Sequence, residues 1–157
     1  MTFKPRVGRL PWVFTDHPIY FVSARTLDHQ RILAEARVHE TFRAFALRAE
    51  DYRVLVGFYM LMPDHLHLFA ALAPEAPSLS MWMKSLRNTL SKALKGTGVA
   101  APHWQDGFFD HVLRSEESYE EKRRYVRENP VRAGLVRRAE EWPYQGEIHR
   151  LEMRGRL

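Results

Sequence analysis

A chain of 157 residues, 45% apolar and 27% charged, is sized and composed for one globular domain with a proper core rather than for a disordered tail. The absence of cysteine excludes disulfides and thiolate metal sites, so any metal must be held by histidine, carboxylate, amide or water. A net charge of +5 favours a polyanionic partner, while no apolar run nears the roughly 20 residues of a bilayer span and MTFKPRVGRLPW holds no apolar secretion stretch. A cytoplasmic protein without membrane contact is expected.

In chain order, IYFVSART from Ile19 is a β-branched and aromatic run that predicts a strand, preceded by irregular chain marked by Gly8, Pro11 and Pro18. From Asp28, a candidate N-cap, to about Glu50, the residues Ala34, Val38, Phe42, Phe45 and Ala49 recur mostly at the spacing of a half-buried helix. Arg53 to Met62 and His65 to Leu72 read as two strands of a hairpin. Pro63-Asp64 fits neither primed turn, so a looser loop or a bulge is expected. After Pro74 to Pro77, the stripe Leu79, Met83, Leu86, Leu90, Leu94 predicts a second helix closed by Gly96 and Gly98.

A last strand is expected at FFDHVLR from Phe108. Ser115 to Asn129 then carries early acids and later bases, the charge polarity of a third helix. Pro130 restarts the chain, VRAG reads as one turn closed by Gly134, and the polar tail shows little periodicity and is expected to be loosely held. Strand, helix, hairpin, helix, strand, helix is the order of an α+β, ferredoxin-like (RRM-like) antiparallel four-stranded sheet. Its helices would pack on one face, with an additional C-terminal helix, in a single domain with a core of about 18–136 and a tail of 137–157. The other sheet face would be free.

Chemistry concentrates in PDHLHLF. On a strand, His65 and His67 project from one face about 6.5 to 7 Å apart, close enough to share a metal ion. The same pair also reads as ordinary histidines on a half-polar strand. A third ligand is available if the predicted third helix docks there, because Tyr125 and Asn129 are four apart and share a face. The Asn129 amide would reach the metal and the Tyr125 hydroxyl would lie beside it. A free phenol ionises near pH 10, so a metal-polarised phosphate and cations such as Lys122 or Arg124 would have to assist a tyrosine nucleophile. Tyr119 is the nearest rival, but its partner four residues on is Arg123, which cannot ligate a cation. On the second helix Lys84, Arg87, Asn88, Ser91, Lys92 and Lys95 form a face that either tracks a phosphate backbone or is simply solvated. Trp12, Phe14 and Trp104 are candidates for stacking on unpaired bases or for core packing.

GFYMLMPDHLHLF (Gly57 to Phe69), HWQDGFFDHVLR (His103 to Arg114) and above all YVRENPVRAGLV (Tyr125 to Val136) resemble the REP-associated tyrosine transposases of the single-tyrosine HUH family. The resemblance spans most of the chain. It implies a transposase-like, metal-dependent endonuclease and strand transferase acting on single-stranded or hairpin DNA with REP-like palindromes. It places the family's metal-binding histidines on His65 and His67, its third ligand on Asn129 and its nucleophile on Tyr125. It further implies Mg²⁺ or Mn²⁺ as the divalent ion, a 5′-phosphotyrosine intermediate and a monomer or homodimer, while the basic side chains Lys84, Arg87, Lys92, Lys95, Lys122 and Arg124 are the candidate DNA-binding residues. The chain departs from the family pattern at YFVSART and in the tail EEWPYQGEIH. The competing reading is a non-catalytic ferredoxin-like RNA- or DNA-binding module with structural histidines. A small-molecule metallohydrolase on a barrel would need a much longer chain.

Overall fold

The computed structural model of the chain describes the backbone of residues 12–15 and all of residues 18–153. In chain order the elements are β1 (Trp12–Thr15), β2 (Ile19–Arg25), α1 (Ala36–Arg48), β3 (Val54–Leu61), β4 (His65–Leu72), α2 (Leu79–Gly96), β5 (Phe109–Leu113), α3 (Glu116–Arg127), α4 (Asn129–Arg132), β6 (Gln145–Glu147) and β7 (Arg150–Met153). The side chains of Trp12 and Phe14, named above for stacking, lie outside what the structure describes, and Gly8 and Pro11 lie outside the described residues altogether.

The main sheet is antiparallel in the order β5-β2-β4-β3-β6. Its first four strands have the expected split β-α-β arrangement. The strand count differs from expectation, because β6 adds a fifth strand and β1 pairs with β7 in a separate parallel ribbon. The tail is therefore not loosely held up to Met153. Trp142, Ile148 and Leu151 are buried, and the Trp142 indole donates to the Leu61 carbonyl at 3.0 Å.

Nor is the second sheet face free. One core layer packs Val38, Phe42 and Ala46 of α1 and Trp82, Met83, Leu86, Leu90 and Leu94 of α2 against Val22, Leu66, Leu68 and Ala70. The opposite layer packs Tyr119 and Val126 of α3, with Trp142 and Leu151 of the tail, against Ile19, Phe21, Phe58, Met60 and Phe69. Arg123 ties α3 to β6 through Glu147 at 2.9 Å. A sheet apolar on both faces needs two covering layers, and α3 with the tail supplies the second.

Local chemistry explains the remaining differences. Helix α1 starts at Ala36 rather than Asp28, because Glu35 is its N-cap and its carboxylate accepts from the amides of Arg37 and Val38. Asp28 lies instead in a short 3₁₀ turn at φ 54°, in the left-handed region. The hairpin turn closes tightly, with the Met62 amide donating to the His65 carbonyl at 2.8 Å. The irregularity falls inside β3, where the register with β4 shifts between Val56 and Tyr59. That bulge lets Val54, Val56, Tyr59 and Leu61 face α1 and α2 while Phe58 and Met60 face α3. At Gly57 an added Cβ would lie 2.9 Å from the Leu151 side-chain methyl, so the Leu151 side chain packs into the space that this glycine leaves. Helix α3 ends at Arg127. Pro130 opens the single turn α4, and Gly134 at φ 74° closes it.

Candidate active site

The alternation of β4 decides which layer receives the histidines. Leu66, Leu68 and Ala70 point towards α1 and α2, so His65 and His67, with Phe69, point towards α3. Both rings are half-buried, and their centroids lie 4.8 Å apart at 77°. Each is fixed through its Nδ1 atom. His65 Nδ1 is 2.7 Å from the Asp64 carboxylate, and His67 Nδ1 is hydrogen-bonded to the hydroxyl of Ser23, its cross-strand neighbour on β2. A ring that donates Nδ1–H to a carboxylate keeps its Nε2 lone pair available.

Helix α4 brings Asn129 to that lone pair, with the amide 3.4 Å from His65 Nε2. Since an amide's N and O exchange by a flip, the same side chain can present oxygen to a cation. Among the described residues no three His, Cys, Asp or Glu side chains converge to hold a metal ion; the side chain that meets His65 Nε2 is the Asn129 amide. Two imidazole nitrogens with anchored Nδ1 atoms and one amide oxygen form a donor set that suits a divalent ion, leaving its other positions to phosphate and water.

Tyr125 is 60% exposed on α3. The Arg132 guanidinium lies 3.9 Å from its ring centroid and also donates to its backbone carbonyl at 2.7 Å. The Lys122 ammonium lies 5.5 Å from the Tyr125 ring and 4.7 Å from the Phe21 ring, and Phe21 stacks on His67 at 5.3 Å. These contacts place Tyr125 on the imidazole side of the sheet. Tyr125 and Asn129 do not share one continuous helix, because the junction at Glu128 separates α3 from α4. Tyr119 is 1% exposed, with its phenol pushed well above the usual range by burial.

Burial, reinforced by the charges of His65, Arg25, Lys122 and Arg132, pushes the His67 pKa down to about 3. The ring is therefore neutral at physiological pH, the form that ligates metals. Asp64 is pulled in two directions. Burial raises its pKa, but the hydrogen bond and charge of His65, with its own backbone hydrogen bond and the charge of Arg25, together hold it below the usual carboxylate value.

The basic candidates divide between the two layers. Lys122 and the exposed Arg124 belong to α3. Lys84, Arg87, Lys92 and Lys95 belong to α2, in the layer on the opposite side of the sheet from the imidazoles. Of these, Lys84, Lys92 and Lys95 are exposed, whereas Arg87 is half-buried and donates to the Gly107 carbonyl at 2.9 Å. The Trp104 indole donates to the Arg87 carbonyl and the Ser91 hydroxyl and packs against the core, so its ring is engaged. Four residues of the site escaped sequence reasoning: Asp64, Ser23, Arg25 and Arg132. Asp64 adjoins His65 in sequence and could have been found, whereas Ser23 and Arg25 emerge only from the register Ser23↔His67 and Arg25↔His65.

No family model matches the chain. The chain is nonetheless similar to transposases of one kind. It is 22% identical over 151 residues to a putative REP-associated tyrosine transposase of Haemophilus influenzae, covering 87% of this chain and 83% of that one. It is 24% identical over 100 residues to the REP-associated tyrosine transposase of Escherichia coli, covering 64% and 58% of the two chains. Among solved structures, a REP-associated tyrosine transposase bound to a REP hairpin shares the fold with a TM-score of 0.64 at 18% identity, over 92% of this chain and 82% of that one. A putative transposase from Deinococcus radiodurans gives a TM-score of 0.50 at 16% identity, over 80% and 95%. The resemblance to the REP-associated tyrosine transposases is thus borne out, and the fold is theirs. Among the described residues no helix is long and apolar enough to cross a membrane.

Proposed function

We propose that this chain is a metal-dependent single-stranded DNA endonuclease and strand transferase of the tyrosine HUH type, acting on hairpin DNA. The observation that carries this reading is the meeting of Asn129 with His65, with the Tyr125 side chain held by Arg132 and Lys122 on the same side of the sheet. The binding of a REP hairpin by a structural relative supports the substrate class.

In this reading His65 and His67 offer Nε2 and Asn129 offers Oδ1. A Mg²⁺ or Mn²⁺ ion held there would supply polarisation of the scissile phosphate. Arg25, Lys122 and Arg132 surround the phosphate with positive charge, and Lys122 and Arg132 hold the Tyr125 ring beside it. The Tyr125 oxygen attacks phosphorus as its proton passes to water, the bond from phosphorus to the 3′ oxygen breaks, and that oxygen takes up a proton from water. The products are a 5′-phosphotyrosine and a free 3′-hydroxyl. Rejoining is the reverse step with another 3′-hydroxyl, which conserves the bond energy and needs no external source. Lys84, Lys92, Lys95 and Arg124 contribute to binding through phosphate charge. The protein would work in the cytoplasm, on the nucleoid.

The test is incubation with labelled single-stranded hairpins and Mn²⁺, resolved on denaturing gels. The expected result is a covalent adduct that is lost with EDTA and in Tyr125→Phe, while hairpin binding persists in that variant. Hairpin binding that is indifferent to His65→Ala and EDTA, with no nicked product, would instead identify a non-catalytic nucleic-acid-binding module.

A further inference from the structure

The large apolar side chains left exposed among the described residues are Leu47, Tyr52, Met81, Phe109 and Tyr125. The first three belong to the α1 and α2 side of the molecule. Phe109 belongs to the imidazole side. On β2, Ser23 pairs with His67 of β4 on one flank and with Phe109 of β5 on the other, so the three side chains stand in a row on one face. Two strand spacings, about 10 Å, separate the ends of that row. The Phe109 ring is 59% exposed and packs against Phe21 in a T-shaped pair at 6.3 Å and 66°. Such a contact steadies a ring whose surface remains mostly open to solvent.

Two further features define what that open ring can receive. The charges set against Phe21, Tyr125 and His67 on this side are cationic: Lys122 over Phe21, Arg132 over Tyr125, and Arg25, whose charge acts on His67; the Asp64 carboxylate of the same site is engaged by His65. Asp110, the acid of this strand, alternates to the opposite sheet face from Phe109. A flat aromatic ring within a cationic surround is complementary to a ligand with a π-face attached to an anion. A nucleotide has both.

We infer that Phe109 is a base-stacking platform for an unpaired nucleotide flanking the scissile phosphate, holding one base of that flank in place whatever its identity. The inference rests on the proposed DNA-cleaving reading for the position of that phosphate. The stacking itself needs only that single-stranded DNA crosses this face. Base–aromatic stacking tolerates any base, so Phe109 fixes the position of the flank rather than its sequence.

The experiment measures fluorescence anisotropy with a labelled DNA hairpin carrying a single-stranded flank, and with probes in which each flank nucleotide in turn is made abasic. Phe109→Ala should weaken binding of the intact probe by about 10-fold, and Phe109→Trp should restore it. With one abasic probe the wild type and Phe109→Ala should bind alike, because the stacked base is already missing. An equal loss on every probe, or Phe109→Trp binding as weakly as Phe109→Ala, would overturn the platform. Adduct formation by the wild-type protein is scored in parallel. Coupling between Phe109 and one base without any adduct would leave the platform standing and remove the nucleophile reading. An adduct without that coupling would do the reverse.

Discussion

Replacing Asp64 by asparagine removes the charge that orients the His65 ring while leaving the hairpin turn in place. The turn is held by its backbone: the Asp64 carbonyl accepts from the Thr26 amide and hydroxyl, both at 3.0 Å, and the Pro63 carbonyl accepts from the amides of Ile32 and Leu33 at 2.9 and 3.0 Å. The carboxylate itself sits 2.7 Å from His65 Nδ1, in the range of a charge-assisted hydrogen bond. Loss of such an outer partner of a ligating histidine typically costs 10- to 100-fold in metal affinity, or ~1.4–2.7 kcal/mol. Asp64→Asn, which keeps a neutral acceptor, should fall near the lower end, and Asp64→Ala, which keeps none, near the upper. Calorimetric titration of Mn²⁺ into each variant at pH 7 reads this directly. Affinities within about twofold of the wild type for both variants, with thermal midpoints unchanged, would refute the argument that Asp64 holds His65 in its ligating orientation.

Four other outcomes follow from the same geometry. The buried Tyr119 hydroxyl has no hydrogen-bond partner among the described residues, so Tyr119→Phe should stabilise the fold by about 1 kcal/mol in urea unfolding and leave adduct formation intact. His67 takes up a proton only near pH 3 in the native state but near 6.5 when unfolded, so native stability falls as pH drops through that window. About 3 kcal/mol of wild-type stability should be lost between pH 6.5 and 4 on this account, a slope that His67→Gln flattens in unfolding titrations. Arg132→Ala should slow adduct formation about 10-fold, with Arg132→Lys intermediate and an unchanged melting curve, as expected for loss of the cation over the Tyr125 ring. Trp142→Ala should cost about 3–4 kcal/mol in chemical denaturation, because the indole is buried beneath the sheet and bonded to Leu61.

The parts of the fold that could be read from sequence are those whose signal is local. Met83, Leu86, Leu90 and Leu94 repeat at a helical period and become the buried stripe of α2, with Leu79 partly buried at its start, and the alternation in HLHLF correctly puts both imidazoles on one face. The start of α1 was not legible from Asp28, because that residue takes a left-handed conformation and the Glu35 carboxylate caps the helix instead. Strands β6 and β7 are three and four residues long and draw their stability from β3 and β1, so no periodicity announces them. The second core layer had a visible trace in Tyr119 and Val126, seven apart on α3, but their partners Trp142 and Leu151 come from the tail. In the candidate site, the sequence reading made the meeting of Asn129 with His65 conditional on the third helix docking against β4, and the amide lies 3.4 Å from His65 Nε2. Ser23, Arg25 and Phe109 required the cross-strand register, and Arg132 required the break at α4 that turns its guanidinium back onto Tyr125.

The most direct test of the account is to trap the protein covalently joined to a single-stranded hairpin in Mn²⁺, digest both components and locate the modified peptide by mass spectrometry. The account predicts a nucleotide phosphate carried on the phenol oxygen of Tyr125. A phosphate mapped to any other residue, or a cleaved strand with no protein attached at any time during the reaction, would contradict it.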